Sequence, residues 1–201
     1  MLSFAVFDDK GPANSWPQGL AYLFGGGDMP VQGSVRFEDG RLVCEKMITE
    51  TVGIVTQFPV DAPTLAAGGS GPAHNPQPLG TLALKTCLLP DRDQPYLLPL
   101  ELARHRIMIF LNKLEDWGLA ALATDHPVMV AFEEARALFT SALTARTQAL
   151  GQYTAEQAEF ARKALAKAIE ASELLALLGA ERQLVARMAA EDPSMTGVRI
   201  R

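Results

Sequence analysis

The chain has 201 residues, enough for one domain of ordinary size or a small domain with a helical appendage, and too few for a catalytic β/α barrel, which takes about 250. Apolar residues make up 48% and charged residues 20%, a balance that buries a core rather than leaving the chain disordered. Net charge is −5, from 18 Lys and Arg against 23 Asp and Glu, which argues against a nucleic-acid or anionic-membrane surface.

In chain order, Leu2–Phe7 reads as an opening strand and Leu20–Phe24 as a second short one. Gly33–Gly40 followed by Arg41–Glu45 is the clearest hairpin. Its Asp39-Gly40 is a preferred tight-turn dipeptide, and alternation puts Val35 and Phe37 on one face. Val52–Val60 and Leu79–Leu89 read as two more strands, separated by a Gly-, Pro- and Ala-rich loop over Ala62–Pro78. Five or six short antiparallel strands are expected. The composition then changes near Tyr96: residues 1–95 hold 12 of the 16 glycines and 10 of the 13 prolines. Both residue types punctuate strands and turns and stay out of helix interiors.

Three helices are expected in the second half. Over Pro95–Asp116 a stripe of Leu100, Ala103, Ile107, Leu111 and Leu114 recurs at spacings of three and four. Glu101, Arg104, His105 and Asn112 lie on its flank, Pro99 in its first turn and Gly118 just past its end. A second helix starts near Asp125-His-Pro127 and runs to about Ala149, burying Val128, Phe132, Ala135, Phe139 and Ala142. The third opens with Thr154-Ala-Glu-Gln157, a capping-box pattern, and continues through Leu178 toward Ala190. Gly179 costs about 1 kcal/mol inside a helix, so a break or kink is expected there. Uninterrupted, this helix would be roughly 52 Å long, longer than the β unit, and part of its apolar stripe would need a partner.

Candidate chemistry is sparse. Gly25–Gly27 and Gly68-Gly-Ser-Gly71 carry neither the Lys-Ser/Thr ending nor the following helix of a phosphate loop, so both read as turns. His74, His105 and His126 are scattered, without the one-turn spacing that brings two imidazoles to one metal. Cys44 and Cys87 sit alone on strand-like segments and read as reduced core residues. Of the acids Glu45, Glu50, Glu101, Glu115, Asp116, Glu133 and Glu134, the last two diverge on a helix and cannot flank one bond. All read as solvated, with Glu101 pairing to Arg104 or His105 at the helix surface. Trp117 is expected to pack the helices onto the sheet. Trp16, Tyr22 and Tyr96 remain as an aromatic set for stacking on sugar rings, with Trp16 in an exposed loop.

The run Leu88-Leu-Pro-Asp-Arg-Asp-Gln-Pro-Tyr-Leu-Leu-Pro-Leu-Glu-Leu-Ala-Arg-His-Arg-Ile-Met108, with Leu114-Glu-Asp-Trp-Gly118, Phe4-Ala-Val-Phe-Asp-Asp-Lys-Gly11 and Val35-Arg-Phe-Glu-Asp-Gly40, resembles the N-terminal region of bacterial proteins similar to family 10 glycoside hydrolases (endo-1,4-β-xylanase-like). The resemblance implies a β-rich accessory module and a helical segment that precede a catalytic barrel. It carries no functional motif to transfer. The Asn-Glu-Pro context of that family's acid/base glutamate is absent, and Ile48-Thr-Glu50 echoes the nucleophile motif only by chance.

The expected fold is α+β: an antiparallel β-sheet or small β-sandwich over 1–95, then a helical hairpin or three-helix bundle over 96–192, with a tail over 193–201. The expected function is that of a non-catalytic accessory module that binds carbohydrate through Trp16, Tyr22 and Tyr96. The alternative is a structural or oligomerisation module that uses the long helices and takes no small ligand. An enzyme built on Cys87, His105 or Glu101 is the third and weakest reading. No catalytic residue, cofactor or metal is assigned. The partners in view are a carbohydrate, a following catalytic domain or a second copy, with neither nucleic acid nor membrane. The apolar start Met1–Phe7 has no preceding basic residue and runs straight into Asp8-Asp9, unlike a secretory leader, and no run approaches a membrane span. A cytoplasmic setting is expected.

Overall fold

A short turn and a short register fix the first sheet. In the computed structural model, which describes residues 1–8, 11–16, 21–60, 79–145 and 152–189, strand β6 (Gly33–Glu38) pairs antiparallel with β7 (Arg41–Lys46), matching Val35 to Cys44 and Phe37 to Leu42. Asp39 (φ 47°) and Gly40 (φ 75°) both lie in the left-handed region, as the favoured two-residue hairpin turn requires. On the other side of β7, β1 (Leu2–Ala5) pairs antiparallel, setting Leu2 opposite Cys44 and Phe4 opposite Leu42. The outer neighbour of β1 is β10 (Tyr96–Leu97), and that pairing is parallel, Phe4 to Tyr96. The sheet order is β10-β1-β7-β6, so the expectation of uniformly antiparallel strands is corrected at this edge. The loop before β10 crosses the end of β1, where the Arg92 amide donates to the Met1 carbonyl. The guanidinium of Arg92 then holds the Gln94 and Pro95 carbonyls, and the chain enters β10 in the direction of β1.

Between the first strands lie two short ones, β2 (Phe7–Asp8) and β3 (Gly11–Pro12), paired with each other. The second large sheet has the order β5-β4-β8-β9, with β4 at Tyr22–Phe24, β5 at Pro30–Val31, β8 at Gly53–Val60 and β9 at Gly80–Lys85. The strand expected to reach Leu89 stops at Lys85 because the Thr86 hydroxyl, not a carbonyl, accepts the Ile54 amide. Pairing resumes only as a bridge from Val52 to Leu89. Gly68–Gly71, His74 and the rest of the loop over Ala62–Pro78 lie outside the described residues.

Three helices follow: α1 (Leu98–Asp116), α2 (Pro127–Thr144) and α3 (Ala155–Ala189). The fold is α+β. Pro127 holds the preceding residue extended, so His126, not Asp125, caps α2 with its Nδ1 accepting from the Val128 amide at 3.2 Å. Helix α2 ends at Thr144, short of the expected Ala149; residues 146–151 lie outside the described residues, as do 190–201. Thr154 and Gln157 complete the capping box reciprocally, each amide donating to the other side chain at 3.1–3.2 Å, worth about 1 kcal/mol. Gln157 also donates to the Ala142 and Ala145 carbonyls, tying the start of α3 to the end of α2.

One apolar cluster joins inward residues of both large sheets (Leu2, Phe4, Leu42, Ile54, Phe58, Leu84) to α1 (Leu98, Leu102) and α3 (Leu165, Ile169). A second holds the three helices together around Phe110 and Phe132, whose rings stack at 4.4 Å and 9°. Here the expected stripe of α1 is corrected: Phe110 is the buried residue and Leu111 is exposed, because only the Phe110 ring meets Phe132. The expected break in α3 is absent as well. The helix runs through Gly179, where a Cβ would come within 3.1 Å of the Trp117 ring. Trp117 therefore packs on α3 at that glycine, and the missing side chain makes room for an indole.

Candidate functional site

The three aromatic positions do not form one surface. Trp16 is half-buried, its ring 5.7 Å from that of Phe58 and its Nε1 donating to the buried Thr56 hydroxyl at 3.4 Å. It belongs to the packing of β8, and the exposed-loop expectation for it is corrected. Tyr96 is buried: its hydroxyl donates to the Pro90 carbonyl, one neighbour is Phe4, and the Arg92 guanidinium lies 3.4 Å from its ring centre. That cation occupies the face a sugar would use. Only Tyr22 is open, at 50% exposure, on the strand that pairs with Val55.

Polar residues meet more closely where β9 leads toward α1. Glu101 and His105, expected on the solvent flank of α1, are both buried, because the first turns of the helix are covered on the sheet side as well. Arg104 Nε donates to Glu101 Oε2 at 2.8 Å, so the expected pairing forms, at a buried carboxylate. His105 has its pKa lowered to about 4, first by burial, then by the charges of Lys85 and Arg106, against a smaller opposite effect of Asp28. Lys85 in turn donates to both Asp28 oxygens at 2.7 Å. Cys87 has its pKa raised by burial and by Glu101, and burial pushes Cys44 up to about 12. Cys87 and His105 thus answer to different charged neighbours. The acids of the sheet and of α2 are engaged at the surface: Glu45 with Arg36 and Ser34, Glu133 with Arg136, Glu134 with Lys167. Among the described residues no three His, Cys, Asp or Glu side chains could hold a metal ion, and no helix is long and apolar enough to cross a membrane.

Two hollows open on the sheets. One, of about 360 Å³, is lined by Met1, Leu2, Cys44, Lys46, Ile48 and Asp91, and its Lys46 ammonium is already held by Asp91 and the Glu50 carbonyl. The other, of about 270 Å³, brings together the Phe37 ring, Asn14 and Asp39 beside the hairpin turn. Sequence alternation places Phe37 only on a hairpin face and does not single out Asn14, since nothing in a strand pattern brings a loop 23 positions earlier against it.

Among the described residues, the end of α3 is left without a neighbouring element. Through Leu175 this helix buries Ala158, Ala161, Ala164, Ala168 and Ala171, small side chains that let α1 and α2 approach. From Ala180 to Met188 every residue is exposed. Along one line of the helix, at steps of four and seven, come first Glu159, Lys163 and Glu170, then Leu177, Leu184 and Met188. The charged members are engaged in ion pairs. The apolar ones are 61%, 59% and 72% exposed, with Val185 beside them. One line thus turns from charged to apolar where the helix leaves the body of the protein.

No protein-family profile matches the chain, and no curated protein or solved structure matches it either.

Proposed function

We propose that this protein is a non-catalytic assembly module that docks through the distal half of α3. The observation that carries the reading is the change along one helix line from Glu159, Lys163 and Glu170 to Leu177, Leu184 and Met188. Beyond the body of the protein the line carries large apolar side chains that are mostly exposed; apolar stripes of this kind mark contact with another helix or protein. The test is a photo-activated benzophenone amino acid placed at Leu184 and, as a control on the same line, at Lys163. A discrete adduct from position 184 and none from 163 is the expected result. Equal labelling at both, or none at 184, would sink the reading.

A saccharide-binding role, the function implied by the resemblance to the accessory region of xylanase-like proteins, has its support in the hollow beside Phe37. There an aromatic ring stands with an amide and a carboxylate, the combination that meets the apolar face and hydroxyls of a sugar. Titration with xylo- and gluco-oligosaccharides should change the fluorescence of Trp16, two positions from Asn14, and the response should disappear in Phe37→Ala. A flat titration over the whole panel removes this role.

A further inference from the structure

Resting on the docking reading of α3, we infer that the partner is a second copy of this chain, laid antiparallel along the distal half of the helix. The charges of this segment are ordered along its length. Glu170 and Glu173 come first, Glu181 and Arg182 sit at the middle, and Arg187 lies near the end. In a parallel pair each flank faces the opposite flank of the other copy, so Glu173 would meet the side that carries Leu178 and Val185 and gain no charge partner. A two-fold axis near Ala180 reverses one copy and sets each Glu173 opposite Arg187 of the other copy.

The helical geometry allows that match. Glu173 and Arg187 are two heptads apart, so they lie on the same flank of the apolar line, about four turns from each other. A two-fold axis perpendicular to both helices keeps each flank facing its own equivalent. The same register sets Leu184 of one copy level with the small exposed Ala176 of the other, Leu177 level with Gln183, and Ala180 against its own equivalent on the axis. Level with the paired turns, α1 and α2 lie on the other side of α3, where Ala171 and Leu175 are buried. All the residues that would meet are exposed in one copy, and Glu173 also acts on the half-buried Arg106 of α1, so the folding of each variant is checked beside its association.

The test is sedimentation equilibrium of the full chain across the micromolar range, with circular dichroism as the check on folding. The expected species is a dimer of the 21.7 kDa chain. Leu184→Lys should reduce it to monomer. Arg187→Glu should weaken association about tenfold, the scale of an interfacial charge reversal, and Glu173→Arg combined with Arg187→Glu should restore most of it. A dimer that survives Leu184→Lys, or a double swap no better than the single one, overturns the antiparallel pairing. A monomeric wild type overturns it too. If position 184 then still gives a discrete photo-adduct in cell extract, the docking reading survives without self-pairing; if it gives none, both fall together.

Discussion

The two halves of α3 share a composition rich in Ala, Leu and charged residues, yet they answer to different physics. Up to Leu175 the alanines are buried and set the approach of α1 and α2; beyond Gly179 the same residue type lies in solvent. A stretch of about ten residues is marginal as an isolated helix in water, so the distal turns persist by propagation from the anchored half. Composition alone does not tell a buried helix from an exposed one. The difference is which line of the helix carries the large side chains.

Substitutions sharpen that contrast. Phe110→Ala, which empties a stacked position among the three helices, should lower unfolding free energy by about 3–5 kcal/mol. Leu184→Ala, read by the same urea titration at a dilution that keeps the chain monomeric, should change it by less than about 0.5 kcal/mol. Comparable losses would mean that the distal turns are part of the core.

Next in size is an effect of pH. His105 is held neutral in the folded protein, with a pKa of about 4 against an ordinary 6.5. A lowered folded pKa gives stability that is complete above the unfolded value and is lost as pH falls toward the folded one. Between about pH 6.5 and pH 4 the folded state should therefore lose roughly 2–3 kcal/mol through this residue. His105→Gln should flatten that part of the stability curve. If wild type and variant fall in parallel, the burial of His105 does not govern it.

Ala168→Leu should cost about 1–3 kcal/mol by overpacking a buried seam, while the same change at the exposed Ala186 should be nearly silent. Equal thermal shifts for the pair would contradict the contrast. The smallest effect is expected at Gly179→Ala. The gain in helix propensity is about 1 kcal/mol, and the new methyl meets Trp117 at 3.1 Å. Trp117 is 41% exposed and can give way, so a net stabilisation of about 0.5 kcal/mol should appear in thermal unfolding; a lower midpoint would mean that the indole is fixed.

Local rules made part of this architecture legible. Asp39-Gly40 specified its turn and Thr154 with Gln157 its cap, because each is completed by residues a few positions apart. Gly179 misled for the opposite reason: its place in an unbroken helix depends on Trp117, far away in sequence. Glu101 and His105 took the solvent side of a helical wheel that knows nothing of the sheet above it. The parallel edge at Tyr96–Leu97 is two residues long, too short to leave a pattern. Of the candidate site, the length of α3 could be read from periodicity, while the residues that face outward became clear only once α1 and α2 had claimed the other side.

Amide hydrogen exchange over residues 181–188, followed as protein concentration is raised, tests most directly whether the distal turns are covered by a second copy. Exchange there should slow markedly with concentration, while the buried turns around Ala164 stay unchanged. Equally fast exchange over 181–188 at every concentration would contradict that covering.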